Sequence, residues 1–169
     1  MFKPGEIIVY GNTGVCRIME ITKPNLPGVD KEREYYLLSP LFQDGKIYSP
    51  VDNTKVFMRP VINKQQAEEL IDMIPELQTK QISTTSSQQL SERYQEYFNT
   101  HNCTDLLELI MSIYAKKQHQ LSQKHKVGQI DERYMRKAED LLYGELAIAL
   151  DITPKAVPDF IAARLKNKE

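Results

Sequence analysis

Three histidines, two cysteines and 23 carboxylates are the groups with which this chain could do chemistry, and their spacing offers little of it. His101 lies two residues from Cys103, but no second pair completes a metal site of structural spacing. His119 and His125 are six apart, not the four that set two ligands on one helical face. There is no GxSxG, and no local Cys/His arrangement for a nucleophile. Gly11-Asn12-Thr13-Gly14 lacks the later glycine and lysine of a phosphate-cradling loop and reads as a β-turn. The carboxylates fall on helix faces beside polar residues, without a pattern that buries a pair for acid–base work. Cys16 and Cys103 form no CxxC motif and read as two free thiols of a reducing compartment. The expectation is a chain that is not an enzyme and holds neither metal nor cofactor.

Binding is the better prospect. Net charge is −1, which argues against a strongly basic nucleic-acid binder, but the charge is segregated. Residues 116–137 carry seven basic side chains against two acidic ones, a net +5. Residues 138–159 carry five acidic side chains against Lys155, a net −4. Residues 143–165 look like a helix-turn-helix, with Ala147 at the helix crossing, Ile152 in the turn and Val157 on the inner face of the second helix. Asp151 stands where such a turn usually has glycine, Pro158 falls inside the would-be recognition helix, and the local negative charge would meet phosphates badly. A corner used only for packing is the other reading.

The elements that must carry these residues divide the chain in two. Residues 1–62 read as β: Ile7–Tyr10, Val15–Ile21, Glu34–Leu38, Lys46–Pro50 and Val56–Arg59 are short apolar or alternating runs between turn clusters, with Asp44-Gly45 as a hairpin signal. Four or five such strands imply a small, bent sheet or barrel. Residues 63–169 read as helical. Asn63, Ser86 or Ser87, Thr104, Asp131 and Thr153 are the expected caps, ahead of apolar stripes at helical spacing. Residues 78–87 are polar and short-chained, the best linker candidate. The reading is an α+β chain: residues 1–62 a β domain, 63–87 a connecting helix and linker, 88–169 a helical bundle. No apolar run approaches the roughly 18 residues that span a bilayer, and the opening residues have no run suited to a signal peptide, so a cytoplasmic protein is expected.

Phe2-Lys3-Pro4-Gly5-Glu6-Ile7-Ile8-Val9-Tyr10, Gly14-Val15, Ile18, Glu20-Ile21, Glu34-Tyr35-Tyr36-Leu37-Leu38, Pro50-Val51-Asp52-Asn53 and Met58-Arg59-Pro60-Val61 occur in this order. Leu90-Ser91-Glu92-Arg93-Tyr94 and Lys137 to Ala147 continue the series. Together they resemble the CarD family of bacterial transcription regulators, and the first part alone is similar to the polymerase-binding module of transcription-repair coupling factors. The resemblance implies a Tudor- or SH3-like barrel that binds the RNA polymerase β subunit through an edge strand near Lys46, Ile47, Tyr48 and Ser49, with Lys23 nearby. It also implies a monomeric, nucleoid-associated protein whose helical domain lies weakly and without sequence specificity on promoter DNA and alters open-complex stability. Many members carry a tryptophan wedge where this chain has Leu90, and a leucine there either inserts between base steps or packs in the helical core. The expected DNA-contacting set is Leu90, Arg93, Lys116, Lys117, Lys124, Lys126 and Arg133. Two rival readings are a free-standing helix-turn-helix DNA binder and a polymerase-binding adaptor that touches no DNA.

Overall fold

The computed structural model describes residues 1–82 and 86–168. The chain forms two compact units, Met1–Val61 and Ile62–Glu169. The first is an antiparallel sheet of five strands: β1 (Ile7–Tyr10), β2 (Gly14–Thr22), β3 (Tyr35–Pro40), β4 (Ile47–Pro50) and β5 (Met58–Pro60). Their order is β4-β3-β2-β1-β5, so β4 and β5 are the two borders. One face buries Ile8, Cys16, Ile18, Tyr36 and Leu38, with Phe2, Tyr10, Ile21, Ile47, Val51 and Met58 packed around them. The alternation that fills this face slips once. The β2–β3 register shifts between Ile18 and Glu20, so Met19 is an extra residue. Cys16 and Ile18 reach the core at period two, and Ile21 returns to it three residues later. A bulge of this kind bends and twists its strand, which gives a short sheet its curvature.

The tight β1–β2 turn requires glycine. Gly11 has φ +46°, and a Cβ there would lie 2.9 Å from Val56 Cγ1. The β3–β4 connection is longer than a two-residue Asp-Gly turn: it runs from Leu41 to Lys46, with Gly45 at φ +118°.

The second unit holds α1 (Lys64–Asp72), α2 (Ser87–Asn99), α3 (Cys103–Ser122), α4 (Gln129–Leu150) and α5 (Val157–Lys166). Its core joins Ala67, Leu70 and Ile71 of α1 to Tyr94 and Phe98 of α2, Leu106, Leu109 and Ile113 of α3, Ala138, Leu142 and Leu146 of α4, and Val157 of α5. Thus α1, read from sequence as the connecting helix, contributes its apolar stripe to this core. Asn63 caps α1 in a reciprocal box with Gln66. Ser86 caps α2 by accepting from the Gln89 amide.

Three expected caps are corrected. Asn102, not Thr104, caps α3, because its side chain accepts from the Thr104 amide at 2.8 Å. Gly128 precedes α4, which places Asp131 inside the first turn, buried. Thr153 makes no side-chain cap bond; Pro154 opens a short 3-10 turn, and α5 starts only at Val157. Pro158 therefore sits in the first turn of α5, where its missing amide costs nothing, rather than inside the helix. Of the expected linker, Ile82 packs against the helical core and the Lys80 amide donates to Ser112 Oγ at 3.2 Å; residues 83–85 lie outside the described residues. Among the described residues no helix is long and apolar enough to cross a membrane.

Candidate interaction surfaces

The border strand β4 pairs with β3 through Ile47↔Leu38, Tyr48↔Leu37, Ser49↔Tyr36 and Pro50↔Tyr35. The next pair inward from Pro50 is bonded, Val51 N–H donating to the Glu34 carbonyl at 3.0 Å. In an antiparallel ladder bonded and non-bonded pairs alternate. Ser49 and Ile47 therefore turn their amides toward β3, and Tyr48 and Lys46 turn theirs outward. The outer border offers N–H and C=O at Lys46 and Tyr48, while the Pro50 carbonyl already accepts from the Asn53 amide at 3.0 Å. The opposite border, β5, is three residues long, and its outward positions are Met58 and Pro60, so only Met58 offers a donor there. A partner strand has more to pair with on β4.

Side chains follow the same alternation. Ile47 packs on the core, and Ser49 is buried, its Oγ accepting from Asn53 Nδ2 at 3.1 Å. Tyr48 faces away from that core and is 38% exposed, and Lys46 is exposed. Lys23 is also exposed, but it follows Thr22, which pairs with Tyr35 beside Pro50. The two lysines thus stand at opposite ends of β4. At the Lys23 end, Arg33 Nε donates to Asp52 at 2.8 Å, and this bond holds the Asp52 carboxyl below its ordinary range.

In the helical unit the seven expected DNA-contacting residues separate into three kinds. Leu90 is half-buried and packs against the core. Lys116 and Lys117 are tied down. Lys116 Nζ donates to Asp131 Oδ1 at 3.0 Å, which also accepts from the Tyr94 hydroxyl at 2.5 Å. Asp131 is buried and Tyr94 fully so; burial, then the Asp131 carboxylate, drives the Tyr94 hydroxyl well above its ordinary pKa. Lys117 pairs with Glu132 at 2.9 Å. Arg93, Lys124, Lys126 and Arg133 are exposed. Two cations outside the expected set, Arg136 and Lys137, are exposed on α4 as well. Arg133 and Lys137 both lie over the Tyr134 ring, at 5.2 and 5.5 Å from its centroid. The +5 run from residue 116 to 137 is legible in the sequence; which of its cations have a carboxylate partner is not, because the partners come from the next helix.

The helix-turn-helix-like corner packs into the helical core through Ala147, Ile152 and Val157. Asp151 takes the left-handed conformation at φ +56° that such a turn normally gives to glycine. Val157 is fully buried. Two cations at this end of the chain face α1: Arg164 grips Asp72 through Nε and Nη2 at 2.8 and 3.0 Å, and Lys168 Nζ reaches the same carboxylate at 2.6 Å. These bonds lower the Asp72 carboxyl to about 2. Glu145, also in the corner, is buried and accepts from the Ile62 amide at 3.0 Å and from Cys103 Sγ at 3.1 Å. Of the basic residues in and just after the second helix, Arg164 and Lys168 are thus clamped onto a neighbouring helix, while Lys166 is exposed.

Neither cysteine is placed as a nucleophile. Both are buried, and burial pushes the Cys16 thiol up to about 11. Among the described residues no group of three His, Cys, Asp or Glu side chains could hold a metal ion.

Residues 2–62 match the family model of the CarD-like/TRCF RID domain. The matched stretch ends one residue beyond the boundary of the β unit. No curated protein matches the chain.

Proposed function

We propose, from the premise that residues 2–62 are a CarD-like/TRCF RID domain, that this protein is a transcription regulator tethered to RNA polymerase. The domain family is one of RNA polymerase-interacting modules. In this reading the β subunit of the polymerase adds a strand to β4. The observation that carries the reading is the free outer border of β4, with main-chain groups at Lys46 and Tyr48 turned outward and Tyr48 standing beside them. Main-chain pairing supplies the affinity of such an interaction, and the flanking side chains supply its specificity.

The helical unit then acts at the promoter by proximity. Tethering raises its effective concentration, so a few weak phosphate contacts suffice for a protein of net charge −1. Phosphate contacts position a protein without reading sequence. The exposed set of Arg93, Lys124, Lys126 and Arg133, widened by Arg136 and Lys137, carries these contacts. Leu90 contributes through the helical core it packs against. The effect is on the lifetime of the open complex.

The test is open-complex lifetime measured with polymerase, promoter and full-length variants. Changing Arg93, Lys124, Lys126 and Arg133 together to alanine is expected to remove most of the effect on lifetime. It should also flatten its salt dependence by about one unit of log–log slope for each phosphate no longer neutralised. Lys117→Ala, which removes a cation already paired with Glu132, should leave lifetime and slope unchanged. An unchanged lifetime in the fourfold variant would mean that the chain binds polymerase without touching DNA.

A further inference from the structure

The connection between α3 and α4 forms a tip without acid. No carboxylate occurs from Lys116 to Ile130, and the two that follow, Asp131 and Glu132, are held by Lys116 and Lys117. Lys124 and Lys126 stand exposed in this tip. Beside them lies a large apolar side chain: Leu121, in the last turn of α3, is 54% exposed. The chain folds back on that turn. Lys124 N–H donates to the Leu121 carbonyl at 3.0 Å and His125 N–H to the Gln120 carbonyl at 2.8 Å, which closes the helix in a Schellman motif. Lys124 sits at the left-handed position of that motif, with φ +58°. Among the described residues the other non-glycines with positive φ are His101 and Asp151, both of types that adopt it more readily than lysine. Glycine would close α3 without strain; the lysine instead keeps a cation next to Leu121.

We infer that Leu121 enters the minor groove of duplex DNA and inserts between two base pairs, with Lys124 and Lys126 on the phosphates at the groove's rims. The inference rests on the proposed function, which brings the helical unit to promoter DNA, and adds to its cations a contact that carries no charge. Cations behind a helix C-terminus also suit its dipole. That accounts for Lys124 and Lys126 but leaves Leu121 in water. The acid-free tip selects a polyanion, and the leucine selects one with an apolar interior open between two rows of charge. Duplex DNA has that form: its groove edges take the lysines, and an apolar side chain leaves water by parting a base step. The cost is least at pyrimidine–purine steps, which unstack most easily. Lasting attachment to an anionic bilayer needs a broader apolar face than one leucine supplies.

The experiment uses full-length variants on a duplex carrying a fluorescent adenine analogue at a TA step, with open-complex lifetime measured alongside. At low salt the wild-type chain should brighten the analogue as the step unstacks. Leu121→Ala should lose this signal and bind the duplex on the order of tenfold more weakly. Its salt slope and melting temperature should not change, because it removes no charge and Leu121 is not part of the helical core. Lys124→Gly should lower the slope by about one unit and raise the melting temperature by a few degrees, since it relieves the left-handed lysine. Wild-type brightening and affinity in Leu121→Ala overturn the inference, as does a loss of binding confined to vesicles of anionic lipid. In either case, loss of the lifetime effect in the fourfold alanine variant leaves the proposed function standing. A fourfold variant with its full lifetime effect removes the DNA contact of the proposed function, and this inference with it.

Discussion

Tyr48→Pro is expected to reduce capture of the RNA polymerase β subunit to background while the β unit stays folded. The two halves of that statement have one cause. The Tyr48 amide points out of the sheet, so proline there deletes a donor that a partner strand would use and no bond of the β3–β4 ladder. Border strands accept proline where the missing N–H would face solvent. Ile47 before it is already extended, as a residue preceding proline must be. Ser49→Pro, one residue on, removes an inward amide and should unfold the strand instead. Tyr48→Ala keeps the amide and deletes only the exposed ring, so its loss of binding should be smaller. A β-subunit pull-down, with circular dichroism on each variant, separates the three. Wild-type capture by Tyr48→Pro would mean that the polymerase does not bind by extending this sheet.

The second large effect lies in the helical unit and concerns stability. Asp131→Ala removes the acceptor shared by the Tyr94 hydroxyl and Lys116. Tyr94 is fully buried, so its hydroxyl loses its acceptor without gaining water, and Lys116 loses its partner while only partly exposed. The expected cost is about 2–4 kcal/mol, or roughly 10 °C or more in the melting temperature of a unit this size. Glu132→Ala, one residue away, breaks the half-exposed pair with Lys117 and should cost under about 1 kcal/mol. Thermal unfolding of the two variants measures the difference directly. Equal, small losses would show that the Tyr94–Asp131–Lys116 group does not hold α2, α3 and α4 together.

What the sequence made legible and what it hid follow from the range of the interactions. The strands announce themselves because burial on one face writes a local alternation, and even the bulge at Met19 leaves a trace, the three-residue step from Ile18 to Ile21. Asn63 is recognisable as a cap because its partner Gln66 is three residues away. Thr104 and Asp131 misled because each has a competitor just upstream, Asn102 and Gly128, and only backbone geometry decides which residue stands outside the helix. The border position of β4 could be expected from the family resemblance, but the outward aim of the Tyr48 amide depends on the β3–β4 register, which no local pattern encodes. The pairing of Lys116 with a carboxylate fifteen residues away across a loop is likewise a property of packing. For that reason a run of cations read as one basic face resolves into paired and exposed members.

Amide hydrogen exchange at β4 tests the central claim most directly. In the free protein the Lys46 and Tyr48 amides should exchange quickly and those of Ile47 and Ser49 slowly, because only the latter face β3. With the RNA polymerase β subunit bound, the outward amide of Tyr48 should become protected, as a ladder bond would require. A complex that forms while the Tyr48 amide keeps its free exchange rate would contradict the account.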